Sequence, residues 1–150
     1  MTLEWREQLS VGHHGIDQDH KHLISLINRL EVALRSRNMD VLRTELVELG
    51  RYAKLHFERE ERVALEVGYN DVNRLHDSHD RLKLALRLRY AELAGTLDDA
   101  KVECFVSFLR TWLIDHVIKE DMQLKPWIQG AERRRGRPAN EPLRYMVRPL

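Results

Sequence analysis

Hydrophobic side chains recur along most of the chain at alternating spacings of three and four residues, which is the pattern of an amphipathic α-helix. Four segments show this spacing, and short stretches rich in Gly, Asp and Asn separate them. Asp17 or Asp19 is expected to cap the first helix, and the second is expected to begin after Asp40. The pattern therefore predicts four helices. Their inner faces carry residues within His20–Leu34, Leu42–Val67, Val72–Leu93 and Val102–Trp127.

No segment alternates between polar and apolar residues with the period of two that a β-strand shows. Four helices joined by short loops pack most economically when successive helices alternate in direction. The predicted fold is therefore all-α, an up-down-up-down antiparallel four-helix bundle over residues 1–128, with an N-terminal arm packed across it. Residues 129–150 contain three of the four prolines and six arginines, and we expect them to form a basic tail rather than a fifth bundle helix.

The composition excludes several classes of protein and of binding site. The chain has 150 residues, with 25 Lys and Arg against 24 Asp and Glu, so its formal net charge is +1 and we expect no nucleic-acid partner. A single cysteine, Cys104, excludes an internal disulfide framework and a cysteine-built zinc site. No apolar run approaches the roughly 18 residues of a transmembrane helix, and residues 1–9 lack the apolar core of a signal peptide. These features predict a cytoplasmic protein.

Polar side chains occupy inner-face positions that helix packing would otherwise give to Leu or Ile. They comprise four histidines and one glutamate: His20, His56, Glu60, His79 and His116. A buried imidazole or carboxylate without a partner is costly, so such groups are buried when they are paired or bound to metal. Because five of them on four helices can face one axis, the pattern predicts a metal site in the bundle core. Imidazole and carboxylate donors without a thiolate suit iron, manganese or zinc and exclude an iron–sulfur cluster.

Two spacings refine this prediction. His56 and Glu60 lie one helical turn apart on the same face, which suits two ligands of one metal. Asp121 follows His116 by five positions, which turns its side chain roughly 140° away on a regular α-helix. Asp121 is therefore expected to reach the site sideways, as a carboxylate that bridges two metals would.

The motifs around these positions resemble the bacterial hemerythrins from Trp5 to Trp127. The resemblance implies two non-heme iron ions joined by an oxo or hydroxo bridge, with Glu60 and Asp121 as bridging carboxylates. It also implies reversible binding of O2, with His20 and His56 on one iron and His116 and the third-helix histidines on the other. In chain order the matching motifs are Trp5, Ser10-Val-Gly, Ile16-Asp-x2-His, His56-Phe-x2-Glu-Glu, Gly68-Tyr, His79 and Trp112-Leu-x2-His-x4-Asp.

The third helix departs from the family pattern of His-x3-His. The residue four positions before His79 is Leu75, and the nearest imidazole, His76, is displaced by one residue. In one interpretation His76 is the missing ligand, because residues three apart can share a metal after a small rotation or a one-residue bulge. In the other, Leu75 points inward, His76 lies on the surface, and each iron has two histidines. The second arrangement favours peroxidase-like turnover over reversible O2 binding.

The predicted function is reversible O2 binding by a non-enzymatic protein, for storage, delivery or sensing, with a di-iron oxidase or peroxidase as the alternative. An oxygenase or signalling protein would be a separate partner, because the residues beyond the bundle are too few for an output domain. Asp17 is expected either to cap its helix or to hold the free N–H of a ligand imidazole. The predicted metal ligands are His20, His56, Glu60, His76, His79, His116 and Asp121.

Overall fold

The computed structural model describes residues 2–136, so most of the predicted basic tail lies outside the described residues. Within this range the chain is helical and contains no strand, and none of its helices has the length and apolar character needed to span a membrane. Short 3-10 helices occupy Glu7–Leu9 and Asp121–Leu124. The α-helices are α1 (His14–Arg35), α2 (Met39–Glu66), α3 (Val72–Ala91), α4 (Asp99–Lys119) and α5 (Lys125–Arg135).

The four long helices pack as antiparallel neighbours. Asp19 near the start of α1 contacts His56 near the end of α2, whereas Arg29 further along α1 contacts Glu45 near the start of α2. Helix α1 also packs against α4, and α2 packs against α3. The predicted all-α four-helix bundle is confirmed.

Side-chain caps mark where α1, α2 and α4 begin, and α1 begins earlier than predicted. The His13 imidazole accepts a hydrogen bond from a backbone amide of the first turn, so the helix starts before Asp17 and Asp19. The Asn38 and Asp98 side chains cap α2 and α4 in the same way. These three contacts are local and set the lengths of the loops.

The last predicted helix is interrupted. The hydrophobic pattern predicts one helix as far as Trp127, but α4 ends at Lys119 and a 3-10 helix precedes α5. In this segment the amide of Gln123 donates to the carbonyl of Glu120, three residues back rather than four. A 3-10 helix has about three residues per turn instead of 3.6, so the interruption changes the direction in which Asp121 points.

Buried apolar side chains form two clusters along the bundle. The larger fills the space between the four helices and includes Leu30, Leu49 and Leu109, which are at most 1% exposed. The smaller closes one end of the bundle. On α1 and α3, the inward histidines fall between residues of the two clusters, which leaves them in the interior. The buried members of the smaller cluster are Val11, Ile16, Val63, Ala64, Val67, Leu75, Leu124 and Ile128.

Side chains of α1 hold the N-terminal arm against the bundle. The backbone amide and carbonyl of Leu3 both bond to the Asn28 side chain. The Asp17 carboxylate accepts hydrogen bonds from the Ser10 hydroxyl and the Val11 amide. Asp17 therefore positions the arm and does not contact a candidate ligand imidazole.

Helix α5 extends beyond the predicted end of the helical region. It begins with Pro126 in its first turn, where the missing amide is tolerated, and it runs as far as Arg135. Ile128 is its buried residue and packs into the smaller apolar cluster. Residues 129–135, which we expected to belong to the basic tail, are helical as part of α5, and their three consecutive arginines are good helix formers. The remaining tail residues, 137–150, lie outside the described part of the chain.

Candidate metal centre

Six of the seven predicted ligands meet in the interior between the two apolar clusters. They come from all four long helices and from the 3-10 helix after α4, and none is more than 5% exposed. The candidate ligand atoms form two groups, and within each group all of them lie within 4.8 Å of one another. The first group is His20, His56, Glu60 and Asp121, and the second is Glu60, His79, His116 and Asp121.

Glu60 belongs to both groups because each of its carboxylate oxygens faces a different pair of imidazoles. Its Oε1 lies 2.9 Å from Nε2 of His56 and 3.2 Å from Nε2 of His20. Its Oε2 lies 3.0 Å from Nε2 of His79 and 3.5 Å from Nε2 of His116. Such a carboxylate can bridge two metal ions.

Asp121 repeats this arrangement from the opposite side. Its Oδ2 lies 3.0 Å from Nε2 of His20, and its Oδ1 lies 2.9 Å from Nε2 of His116. The 3-10 turn after Lys119 makes this possible, because it redirects a side chain that a continuous α-helix would turn away from His116. Two imidazoles and two shared carboxylates are thus available to each of two ions.

Several buried ligand atoms have no hydrogen-bond partner among residues 2–136. They include Nε2 of His56, Nε2 of His79 and Oδ1 of Asp121. Each lies within 3.0 Å of another polar atom of the cluster, but the geometry is not that of a hydrogen bond. Unpaired polar atoms in a dry core are costly, whereas lone pairs directed at a shared centre suit a cation. The residues therefore fit a pair of metal ions bound by nitrogen and oxygen donors.

The buried charges of the cluster shift one another's pKa values. Burial lowers the pKa of His20, but the hydrogen bonds that His20 donates to Asp121 and Glu60, together with their negative charge, outweigh burial and raise this pKa to about 9. Burial also lowers the pKa of His116, but the negative charge of Asp121 and Glu60 and the hydrogen bonds that they accept raise it to about 10. Burial disfavours the ionised Glu60 carboxylate, yet the positive charge of His56 and hydrogen bonds from the surrounding imidazoles hold its pKa well below the usual range.

These pKa directions predict that metal uptake depends on pH. Metal must displace protons from His20 and His116, whose pKa values of about 9 and about 10 leave them protonated in the metal-free protein at neutral pH. Apparent affinity for a divalent metal is expected to rise with pH, by about tenfold per pH unit for each proton released. Zinc titrations between about pH 6 and about pH 8, in buffers of different ionisation enthalpy, measure both the slope and the proton count. A flat profile would contradict this prediction.

Asp19 orients His56 from outside the cluster. The Nδ1–H of His56 donates to Oδ2 of Asp19 at 3.1 Å, which leaves Nε2 facing Glu60. Asp19 is itself buried and accepts hydrogen bonds from the Tyr52 hydroxyl at 2.7 Å and the Arg59 guanidinium at 2.9 Å. A carboxylate behind a ligand imidazole fixes its tautomer and raises its basicity.

From the sequence, Asp19 is expected only as a possible helix cap, so its contact with His56 is not predicted. Asp17 is the residue considered for such a contact, and it holds the N-terminal arm instead. The spacing along α1 does indicate that Asp19 points inward. Asp19 lies three residues after Ile16 and four before Leu23, both of which are buried, so it shares their helix face.

Glu61 contacts His79 in the same way. The Nδ1–H of His79 donates to Oε1 of Glu61 at 2.7 Å, which leaves Nε2 facing Glu60. The Nδ1 atoms of His20 and His116, in contrast, have no hydrogen-bond partner within the described part of the chain. One imidazole in each group is therefore held from behind by a carboxylate.

Asp19→Asn is expected to weaken metal binding by about tenfold or more, because asparagine keeps the side-chain volume but loses the negative charge behind His56. Competition with a chelator of known affinity measures the change. The matched control is Glu58→Gln, at a position on α2 whose side chain is 59% exposed. Equal affinities of the Asp19 variant and this control would contradict the assigned role.

The structure does not bring His76 into the cluster, which corrects the expectation that it replaces the missing ligand. Its side chain is 53% exposed, with Nδ1 3.0 Å from Oε2 of Glu61 and Nε2 3.4 Å from Oδ2 of Asp80. Leu75 is 2% exposed and packs in the smaller apolar cluster. Because α3 is a regular helix here, the residue that shares the inner face with His79 is Leu75, four positions earlier.

The greater part of this chain is similar in sequence to known proteins. Residues 11–128 match the family model described as the hemerythrin HHE cation binding domain. A hemerythrin-like protein of Naegleria gruberi is 29% identical over 124 residues, covering 82% of this chain and 91% of that protein. A bacteriohemerythrin of Stenotrophomonas maltophilia is 28% identical over 122 residues, covering 79% of this chain and 76% of that protein.

A solved crystal structure of a leucine-to-phenylalanine mutant shares the fold, with a TM-score of 0.70 and 22% sequence identity over 84% of this chain and 96% of that one. The family match includes all six residues of the buried cluster. The chain therefore belongs to the hemerythrin HHE cation-binding domain family.

Proposed function

We propose that this protein binds O2 reversibly at two iron ions held by the six-residue cluster. The observation that carries the proposal is the sharing of Glu60 and Asp121 between two groups of buried ligand atoms. Relatives named hemerythrin-like protein and bacteriohemerythrin support it. Storage of O2, delivery to an oxygenase and sensing through a separate partner are all compatible with such a site.

The four imidazoles divide equally between the two ions in this proposal. His20 and His56 would hold one ion, and His79 and His116 would hold the other, with the two carboxylates shared. An iron pair bound by these residues would supply the electrons that O2 accepts. The protein holds the donors in fixed positions, because every one of them is buried and two are held from behind by Asp19 and Glu61.

Apolar side chains keep water away from the cluster. Phe57, Leu113 and Val117 are each at most 3% exposed. The Phe57 ring stacks on His79 at a centroid distance of 4.3 Å and lies 5.5 Å from the ring of His116. An apolar surrounding limits the entry of solvent and protons, which favours release of O2 over irreversible oxidation of the iron.

A di-iron oxidase or peroxidase is the second candidate, and the inward position of Leu75 favours it. The third helix brings one imidazole, His79, to the cluster, and Leu75 occupies the neighbouring inward position. Each ion would have two imidazoles and two carboxylate oxygens, so both would keep positions open to small molecules. Two accessible ions favour turnover of a peroxide with a reductant.

Visible absorption spectroscopy distinguishes the two candidates. The full-length protein is reconstituted with ferrous iron without oxygen, titrated with O2 and then swept with inert gas. Reversible binding predicts an absorption band that appears with O2 and disappears during the sweep over repeated cycles. Permanent conversion to a ferric spectrum, with consumption of hydrogen peroxide when a reductant is present, would support the enzyme. An iron-loaded protein whose spectrum does not respond to O2 would contradict reversible binding.

A further inference from the structure

A groove lies between α2 and α3, and none of the six candidate metal ligands lines it. The groove is open to solvent and has a volume of about 520 Å³. This volume is within the range of small-molecule sites, roughly 300–1,000 Å³. Ala53, Leu86 and Trp112 form an apolar floor, since each lines the groove and is less than 9% exposed.

The groove is open because α2 has no side chain at Gly50. A Cβ atom built at this position would meet no other atom within 4 Å. Ala53, one turn later, contributes only a methyl group to the floor. Glycine is unfavourable inside a helix, yet Gly50 lies in the middle of the 28 residues of α2. The open space beside Gly50 is therefore a feature of the α2 sequence, and a side chain placed there would not displace a neighbouring residue.

Trp112 reaches from α4 beneath α3 to complete the floor. Its Nε1–H donates to the carbonyl of Leu82 at 3.0 Å, so the polar atom of the ring is satisfied and the remaining surface is apolar. On its other side, the Trp112 ring lies 6.2 Å from Phe57, which stacks on His79. A molecule in the groove would lie behind the apolar wall of the metal centre.

Positive charge predominates around this floor. Three cations, Lys54, Lys83 and Arg87, line the groove together with one carboxylate, Asp80. Lys83 pairs with Asp80 at 2.8 Å, and Lys54 lies 3.9 Å from Glu58 in an exposed pair, which contributes little. These four charged side chains form the rim of the groove, and the rim can therefore accommodate a further negative charge.

We propose that this groove binds an anionic amphiphile, a molecule with an aliphatic or aromatic body and a single carboxylate. The body covers the floor formed by Ala53, Leu86 and Trp112, and the carboxylate pairs with Lys54 or Arg87 at the rim. A small polar anion would leave the apolar floor in water, and a cationic amphiphile would meet three like charges. The site is separate from the metal centre and goes beyond the proposed binding of O2.

Isothermal titration calorimetry of the full-length protein with decanoate, kept below its micelle-forming concentration, tests this proposal. We expect binding of one decanoate per chain. Gly50→Leu fills the groove and is expected to weaken binding by at least about tenfold. The matched control, Gly130→Leu, makes the same change in α5, where an added Cβ approaches only the Arg134 side chain at 3.6 Å. The control is expected to bind decanoate like the parent protein.

The charge preference is tested in the same experiment. Arg87→Glu and the cationic analogue decyltrimethylammonium are both expected to reduce binding. The absence of decanoate binding, unimpaired binding by Gly50→Leu, or equal binding of the two amphiphiles would overturn the proposal. Circular dichroism checks that each variant is folded. Iron content and the O2 titration are expected to be unchanged in Gly50→Leu, so either proposal can fail without the other.

Discussion

Replacing Glu60 with alanine is expected to abolish the binding of both metal ions. The Glu60 carboxylate is fully buried, with one oxygen 2.9 Å from Nε2 of His56 and the other 3.0 Å from Nε2 of His79. One substitution therefore removes a donor from each group. Loss of a residue that only supports a ligand weakens metal binding by about 10- to 100-fold, and loss of a shared ligand should exceed this. Elemental analysis after reconstitution measures the metal content.

Glu58→Ala is the matched control, because Glu58 lies on the same helix with a side chain that is 59% exposed. This control is expected to keep its metal. Glu60→Gln retains the side-chain volume and is also expected to lose metal, which covers the case in which the alanine variant does not fold. Full loading of a folded Glu60 variant would show that the ligand assignment is wrong.

Leu75→His is expected to strengthen binding of the second metal ion and to slow irreversible oxidation by O2. Leu75 is buried one turn before His79 on the same face of α3, so a histidine there would present a third imidazole to this ion. We expect the affinity to rise by at least about tenfold, since a direct ligand should contribute more than a supporting residue does. Chelator competition measures the affinity, and the lifetime of the O2-dependent visible band measures the oxidation.

Stability provides a second measurement for this variant. The metal-free Leu75→His protein should unfold at a lower temperature than the parent protein, because its buried imidazole lacks a partner, and added metal should restore the loss. His76→Ala is the control and should keep the metal content and spectrum of the parent, because His76 contacts Glu61 and Asp80 outside the cluster. Loss of a metal ion from His76→Ala, with no gain from Leu75→His, would reverse the roles of these two residues.

Most of the fold could be predicted because the helices are long and regular. Apolar residues three and four positions apart lie on one side of a chain only when that chain is helical, and the side chains of Asn38 and Asp98 cap the starts of α2 and α4. The interruption after Lys119 could not be seen in this way. Leu124 and Trp127 continue the helical spacing of apolar residues, so hydrophobicity alone does not reveal that the intervening turn is a 3-10 helix.

The candidate site, like the fold, could be predicted only in part from the sequence. His20, His56, Glu60, His79 and His116 stand out in the sequence as polar residues within apolar stripes, and regular helices carry all five to the interior. The supporting residues were not predicted in this role. Asp19 and Glu61 bond to imidazoles that lie on other helices. Local spacing places Asp19 on the inner face of α1, but it does not identify a partner on another helix.

The sequence alone therefore specifies which helices form and which polar side chains they carry inward, because the direction of a side chain on a regular helix depends only on nearby spacing. Packing between helices specifies the rest. It turns Asp121 toward His116 through the 3-10 helix, and it pairs Asp19 with His56. The structure also shows α3 as a regular helix, without the bulge that could have turned His76 inward, so Leu75 lies in the smaller apolar cluster and His76 remains at the surface. These outcomes depend on where a helix is interrupted or continues and on which residues of different helices meet, and the periodic spacing of apolar residues does not reveal either.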